Sequence, residues 1–295
     1  MGKYSLKVKI VTLIFAITTG FAQTHIEEIE TIKDHKVTDL LSDLNPTNSL
    51  IFVDVDDVLF HSRDAALQKK RFSELIQTLN SRVSPKDMTE ILPLITRSAE
   101  KEVVELDMIS FIKNVQSKSI PIFALTQCTS DEEVRNERYS KLHNLGIDFT
   151  SSLTETQYHE LDIPDEELKL KPFQTHTTKP IYDSGIIYCG SAAKGLVLSK
   201  FLEFIHAKTS ELQVVFIDDN KSNLDDVKKT CLDLGINNFL GLHYTAIEKI
   251  NKPIDDPQVL QYQLAVLLED HKWQSDATAK FALAITSKLA VAFNL

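Results

Sequence analysis

Cysteine is scarce in this chain: three among 295 residues, at positions 128, 189 and 231. So small and odd a number excludes a disulfide framework and leaves at least one thiol outside any intrachain bridge. Cys128, Cys189 and Cys231 give no basis for choosing a pair. No CxxC and no clustered Cys/His spacing occurs, so a structural zinc site is excluded as well. The nine histidines are scattered and read as surface or packing residues. Positive charge is also short, with 32 Lys and Arg against 42 Asp and Glu and a net charge of −10. That balance argues against a partner that is a nucleic-acid duplex or an anionic membrane. It leaves small anions open, because only the local charge matters at a site. There is no internal repeat and no low-complexity tract. "GSAAKG" (190–195) lacks the spacing of a phosphate-binding P-loop, which excludes an ATPase of that type.

A hydrophobic content of 43% with 25% charged residues is that of a globular chain. The length suits one large α/β domain or a core with an inserted cap. The first residues differ from the rest. Lys3, Lys7 and Lys9 precede an apolar stretch from Ile10 to Thr18, and Gly20 and Ala22 sit at small-residue positions before Gln23. This is the pattern of a secretory signal peptide over 1–22. The apolar core is too brief to span a bilayer comfortably, so cleavage is expected rather than a stable membrane anchor. The expected mature protein is periplasmic or secreted, over 23–295.

Downstream, Ile26, Ile29, Ile32, Val37, Leu40, Leu41 and Leu44 recur at roughly helical spacing and predict a lead-in helical segment over 26–44. Unbroken apolar runs at 50–55, 120–125, 186–189 and 213–217 predict strands covered on both faces. "NFLGLHY" (238–244) predicts a last strand. Helices are expected over 131–145, from about Ala193, and over 222–233. Strands alternating with helices predict a doubly wound, three-layer, Rossmann-like parallel sheet. Three additions are expected on this core: a helical cap insertion at 60–118, a second insertion at 150–185, and a C-terminal helical extension at 257–295. The last helix is interrupted by Lys280 and Lys288 and reads as packed or amphipathic, not as a membrane span.

Ligand sites of such sheets lie beyond the carboxyl ends of the strands. There the sequence puts Asp54 and Asp56, then Thr126, then Lys194 one turn past a strand, then Asp218 and Asp219. Acids converging on one crevice repel one another and resist dehydration. A hard divalent cation would offset that cost, and carboxylates with a backbone carbonyl and water suit Mg²⁺. Singly, each acid pair also reads as a solvated turn or a helix cap.

The ordered set "DVDDV" (54–58), "ALT" (124–126), "AAKG" (192–195) and "FIDD" (216–219) resembles the four motifs of the haloacid-dehalogenase-like (HAD) superfamily, over about residues 48–245. With the leader, the chain is most similar to exported bacterial HAD-like proteins of unknown function, and more distantly to the secreted acid phosphatases of that superfamily. The resemblance implies Asp54 as nucleophile, Asp56 as general acid/base, Thr126 as a hydroxyl bonding a phosphoryl oxygen, and Lys194 as the charge-offsetting lysine. It implies Mg²⁺ held by Asp218, Asp54, the Asp56 carbonyl and Asp219. Family dehalogenases lack the second aspartate and family ion pumps carry Thr there, so Asp56 favours phosphate-ester hydrolysis. Asp57 and Val58 stand where many members have Gly and Thr.

The expected activity is therefore that of an exported, Mg²⁺-dependent phosphatase acting through an aspartyl-phosphate, on a small-molecule phosphate ester or a phosphorylated macromolecule. The alternatives are a catalytically silent exported interaction protein with the same fold, and a phosphotransferase with an acceptor other than water.

Overall fold

The computed structural model of the chain describes residues 24–152, 158–170, 176–250 and 256–293. The expected leader, 1–22, and parts of the 150–185 segment lie outside the described residues. At the centre stands β2 (Ser49–Val53), every residue of which is buried. It pairs in parallel with β9 (Gln213–Asp218) on one side and β5 (Ile122–Thr126) on the other. Beyond β5 comes β8 (Ile186–Tyr188), also parallel. Beyond β9 come β10 (Asn238–Tyr244) and then β1 (His25–Ile29), both parallel. Two short antiparallel strands, β7 (Ile181–Asp183) and β6 (Tyr158–Glu160), extend the β8 edge to eight strands.

Alternation along the central strands sorts their side chains onto two faces. Ile51, Val53, Ile122, Ala124, Val215 and Ile217 face one core, built with α1 (His35–Asp43), α4 (Leu106–Ser117) and α5 (Glu132–Asn144). Leu50, Phe52, Phe123, Leu125, Val214 and Phe216 face the other, covered by α6 (Lys194–Phe204) and α7 (Lys221–Asp233). Phe52, Phe123 and Phe201 form its aromatic centre, with Phe123 and Phe201 edge to face at 5.0 Å. The molecule is a three-layer, doubly wound α/β fold of the Rossmann-like type.

Several local expectations change. The segment 26–44 is not one helix. Ile26 and Ile29 turn to opposite faces of an edge strand beside β10, and the helix begins only at Asp34, whose side chain accepts from Lys36 N at 3.0 Å. The segment 60–118 is not a single insertion. Its last helix, α4, buries Met108, Phe111, Ile112 and Val115 against the sheet and belongs to the core layer. What stands apart is the stretch before it: the hairpin of β3 (Phe60–Ser62) with β4 (Lys101–Val103), enclosing α2 (Lys69–Asn80) and α3 (Pro85–Ser98).

After β10 come a short α8 (Ile247–Ile250), α9 (Pro257–Asp270) and α10 (Asp276–Phe293). Leu264, Leu267 and Trp273 pack with Leu75, Leu79, Met88 and Ile95 of α2 and α3 in a third apolar cluster. A reciprocal polar clasp fixes the join. Asp64 accepts from Trp273 Nε1 and from the Asp276 backbone, each at 2.9 Å, while Asp276 accepts from the Ala65 backbone at 3.0 Å. Among the described residues no helix is long and apolar enough to cross a membrane.

Candidate active site

The order of strands places β2 between elements that come early and late in the chain, and the carboxyl ends of β5, β2 and β9 therefore meet at a topological switch point. Thr126 ends β5, Asp54 follows β2, and Asp218 ends β9. The Asp54 backbone N–H continues the ladder onto Ile217 O at 2.8 Å, which sets the two acids side by side. Lys194 reaches them from the first turn of α6. Gly190, at φ 53°, makes the turn out of β8; a Cβ there would lie 2.4 Å from Thr178 O.

Lys194 Nζ lies 2.7 Å from Asp54 Oδ1 and 2.6 Å from Asp218 Oδ2, and all three residues are buried. Asp218 also accepts from the Asn220 backbone at 2.7 Å, and both its oxygens accept from Asn223 Nδ2, at 3.2 and 3.1 Å. Carboxylate oxygens of Asp54, Asp218 and Asp219 lie within 4.8 Å of one another. Burial, then repulsion from Asp218 and Asp219, pushes the Asp54 carboxyl well above the usual carboxylate range, against the pull of Lys194. Burial likewise raises Asp219. Lys194 is dehydrated by burial, yet its two carboxylate partners outweigh that and raise it. Three acids share two lysines, Lys194 and Lys69, so the acids outnumber the cations that face them.

Such a set of hard oxygen donors could hold a hard divalent cation. Thr126, at the end of β5, adds a polar group without a partner: its hydroxyl is fully buried and has no hydrogen-bond partner among the described residues. Buried polar groups are ordinarily paired, so an orphan at the mouth of the cleft suits an incoming oxygen.

The sequence-predicted residues thus converge, with one exception of orientation. The Asp56 carboxylate turns away from the three-acid cluster and is half-exposed. It accepts from Arg138 Nη1 at 2.7 Å, and Lys101 Nζ stands 3.9 Å off. Burial raises its pKa, but those two cations outweigh burial and hold it below the usual carboxylate range. Arg138 and Lys101 both lie over the Phe60 ring, at 5.2 and 5.1 Å. Asp57 adopts φ 62°, a left-handed backbone that glycine takes freely and aspartate tolerates, which accounts for its standing at a glycine-favouring position. Burial and the neighbouring Asp56 push its carboxyl up to about 7.

Three residues escaped the sequence reading. Lys69, in the first turn of α2, ion-pairs with Asp219 and ties the inserted helices to the acid cluster. Arg138 and Lys101 lie in charge-rich stretches that look solvated when read singly, and only the fold brings them to Asp56. The other lysine of α6, Lys200, is half-buried and pairs with Glu203 at 2.9 Å. His243 touches the rim through the Asp219 carbonyl, 3.3 Å away. No disulfide joins Cys128, Cys189 and Cys231.

The fold and its cleft define an α/β protein with a buried, lysine-bridged acid cluster at the strand ends. Within that class, the chain belongs to the family described as "Protein of unknown function (DUF2608)", whose model matches residues 23–279. Two relatives are similar over most of their length. One, from Chlamydia pneumoniae, is 24% identical over 258 residues, covering 85% of this chain and 88% of the relative. The other, from Chlamydia trachomatis serovar D, is 24% identical over 263 residues, covering 86% and 89%. Both carry the name "Putative outer membrane protein". No solved structure matches the chain.

Proposed function

We propose that the protein is an exported, Mg²⁺-dependent phosphatase of haloacid-dehalogenase-like type that hydrolyses phosphate monoesters. The observation that carries this reading is the convergence of acids from two separated strands on one buried lysine, within 4.8 Å of each other. A solvated turn or a helix cap would not bury them together. The leader-like first 22 residues and the names of the two chlamydial relatives support export.

In this reading Asp54 attacks the phosphorus, and an Asp54 O–P bond forms as the ester P–O bond breaks. Lys194 and the Thr126 hydroxyl hold the charge on the transferring oxygens; preorganised donors of this kind are the main resource of phosphoryl transfer. Mg²⁺, held by Asp54, Asp218, Asp219 and the Asp56 carbonyl, would supply further neutralisation. Asp56 passes one proton to the leaving alkoxide. In the second half it takes a proton from water as that water attacks phosphorus and releases Asp54. Because Arg138 favours the ionised form, Asp56 rests as a base, and the acid half of the cycle requires proton uptake at the Arg138 contact.

The test is p-nitrophenyl phosphate turnover by the purified protein with Mg²⁺, with EDTA, and with Asp54→Asn. Turnover should need the cation and vanish in the variant; activity surviving both treatments would overturn the mechanism.

A further inference from the structure

A cavity of about 740 Å³ opens between the inserted helices and α5, and Asp56, Asp57 and Lys69 are among the residues that line it. It borders the acid cluster, since Asp56 lies two residues past Asp54 and Lys69 pairs with Asp219. Its size falls within the range of about 300–1,000 Å³ that takes a whole organic ligand.

The walls have a distinct chemistry. Leu67, Phe72 and Ile76 come from the α2 side, Pro93 and Ile95 from α3, and Val134 from α5. Leu67, Phe72, Pro93 and Val134 are only half-buried. Five cations also line the space, which at first suggests a second anionic group on the ligand. Each of them, however, already has a carboxylate. Lys69 pairs with Asp219, Arg97 with Glu133 at 2.5 Å, Lys141 with Glu137, and Arg138 and Lys101 with Asp56. The last two also rest on the Phe60 ring. The charge of the lining is therefore largely spent within the protein. Uncharged polar side chains, which a sugar's hydroxyls would need, are few: Ser62, Ser73 and Gln77. What the cavity offers is apolar wall.

Building on the phosphatase reading, we infer that the cavity holds the organic group of the substrate and that this group is apolar: the ligand is an alkyl or aryl phosphate monoester with a single anionic head. Its head lies at Asp54 and Thr126, and its hydrocarbon lies against Leu67, Phe72 and Val134. A bisphosphate would find its second charge facing cations that are already paired, and a nucleoside monophosphate would find few uncharged polar partners for its sugar and base.

The experiment is calorimetric binding, with Mg²⁺, of phosphonates that cannot be hydrolysed: methyl-, butyl- and octylphosphonate, with AMP as the polar competitor. A parallel assay follows turnover of octyl and methyl phosphate. Burying a methylene fully strengthens binding about fourfold, so with about half of its seven extra methylenes buried octylphosphonate should bind about a hundredfold more tightly than methylphosphonate. The Ser73→Trp substitution, on an exposed residue of the cavity rim, should fill the space and collapse that ratio. Equal affinities, tighter binding of AMP, no binding at all, or a ratio unchanged in Ser73→Trp would each overturn the inference. The two readings fail separately. Chain-length-dependent binding without turnover upholds the cavity assignment and removes the hydrolase. Turnover with no chain-length dependence does the reverse.

Discussion

The ammonium group of Lys194 sits between carboxylates of Asp54 and Asp218, 2.7 and 2.6 Å from them, with almost no access to water. A buried charge is tolerable only while its partners persist, and here one lysine serves two acids. Lys194→Met keeps the volume and deletes the charge. It should cost about 3–5 kcal/mol of stability, since two buried carboxylates would face each other unpaired. Urea denaturation of both proteins checks this, and turnover should be lost in parallel.

Removing a carboxylate from the same cluster should act in the opposite direction when no metal is bound. The Asp54 pKa is raised in the folded chain, so its contribution to stability is full below the ordinary carboxylate pKa and is lost as pH rises through the folded value. Relative to the native protein, metal-free Asp54→Asn should therefore gain stability from pH 4 to pH 8. Added Mg²⁺ should stabilise the native protein by about 2.7 kcal/mol at a hundredfold excess over Kd, and the variant far less. Thermal melts with and without EDTA measure both effects.

Arg138 should set the working pH. Its guanidinium, with Lys101, depresses Asp56, so Arg138→Leu removes the larger favourable partner and lets the Asp56 pKa rise. Limbs of the pH–rate profile that Asp56 governs should then move to higher pH. Asp56→Asn should instead lower kcat by about 10²–10⁴-fold and flatten those limbs. A pH series of kcat on one aryl phosphate separates the two outcomes.

The clasp between the inserted helices and the C-terminal pair is a structural test away from the cleft. Asp64→Ala would strand the Trp273 indole N–H and the Asp276 backbone N–H, each bonded at 2.9 Å. Unsatisfied buried donors cost about 1–3 kcal/mol apiece, so a loss of about 2–6 kcal/mol is expected. Trp273 is the sole tryptophan of the chain, and its fluorescence should report the loosening directly.

Much of the architecture was legible because the central strands are covered on both faces and leave unbroken apolar runs. Ser49–Val53, Ile122–Thr126 and Gln213–Asp218 each hold such a run of four residues, 50–53, 122–125 and 214–217. The acids and Lys194 were legible because each follows such a run in a fixed order. The strand at His25–Ile29 was not. Its isoleucines fit a helical spacing, and only pairing with residues 240–244 makes it a strand. Tyr158–Glu160 and Ile181–Asp183 are too short to show a period. Lys69, Lys101 and Arg138 carry no local signal, since a charge on a helix or hairpin looks solvated until tertiary contacts close around it.

The Asp64–Asp276 clasp also orders events in time. The polypeptide segment that braces α2 and α3 is synthesised last, some 200 residues after them, whereas every parallel strand is complete by Tyr244. A nascent chain can thus assemble its sheet before the roof over its cleft has any support from behind. On the phosphatase reading, selectivity would then be the final property to be acquired, and a chain cut short after the sheet would retain its acids while losing the means to choose what reaches them.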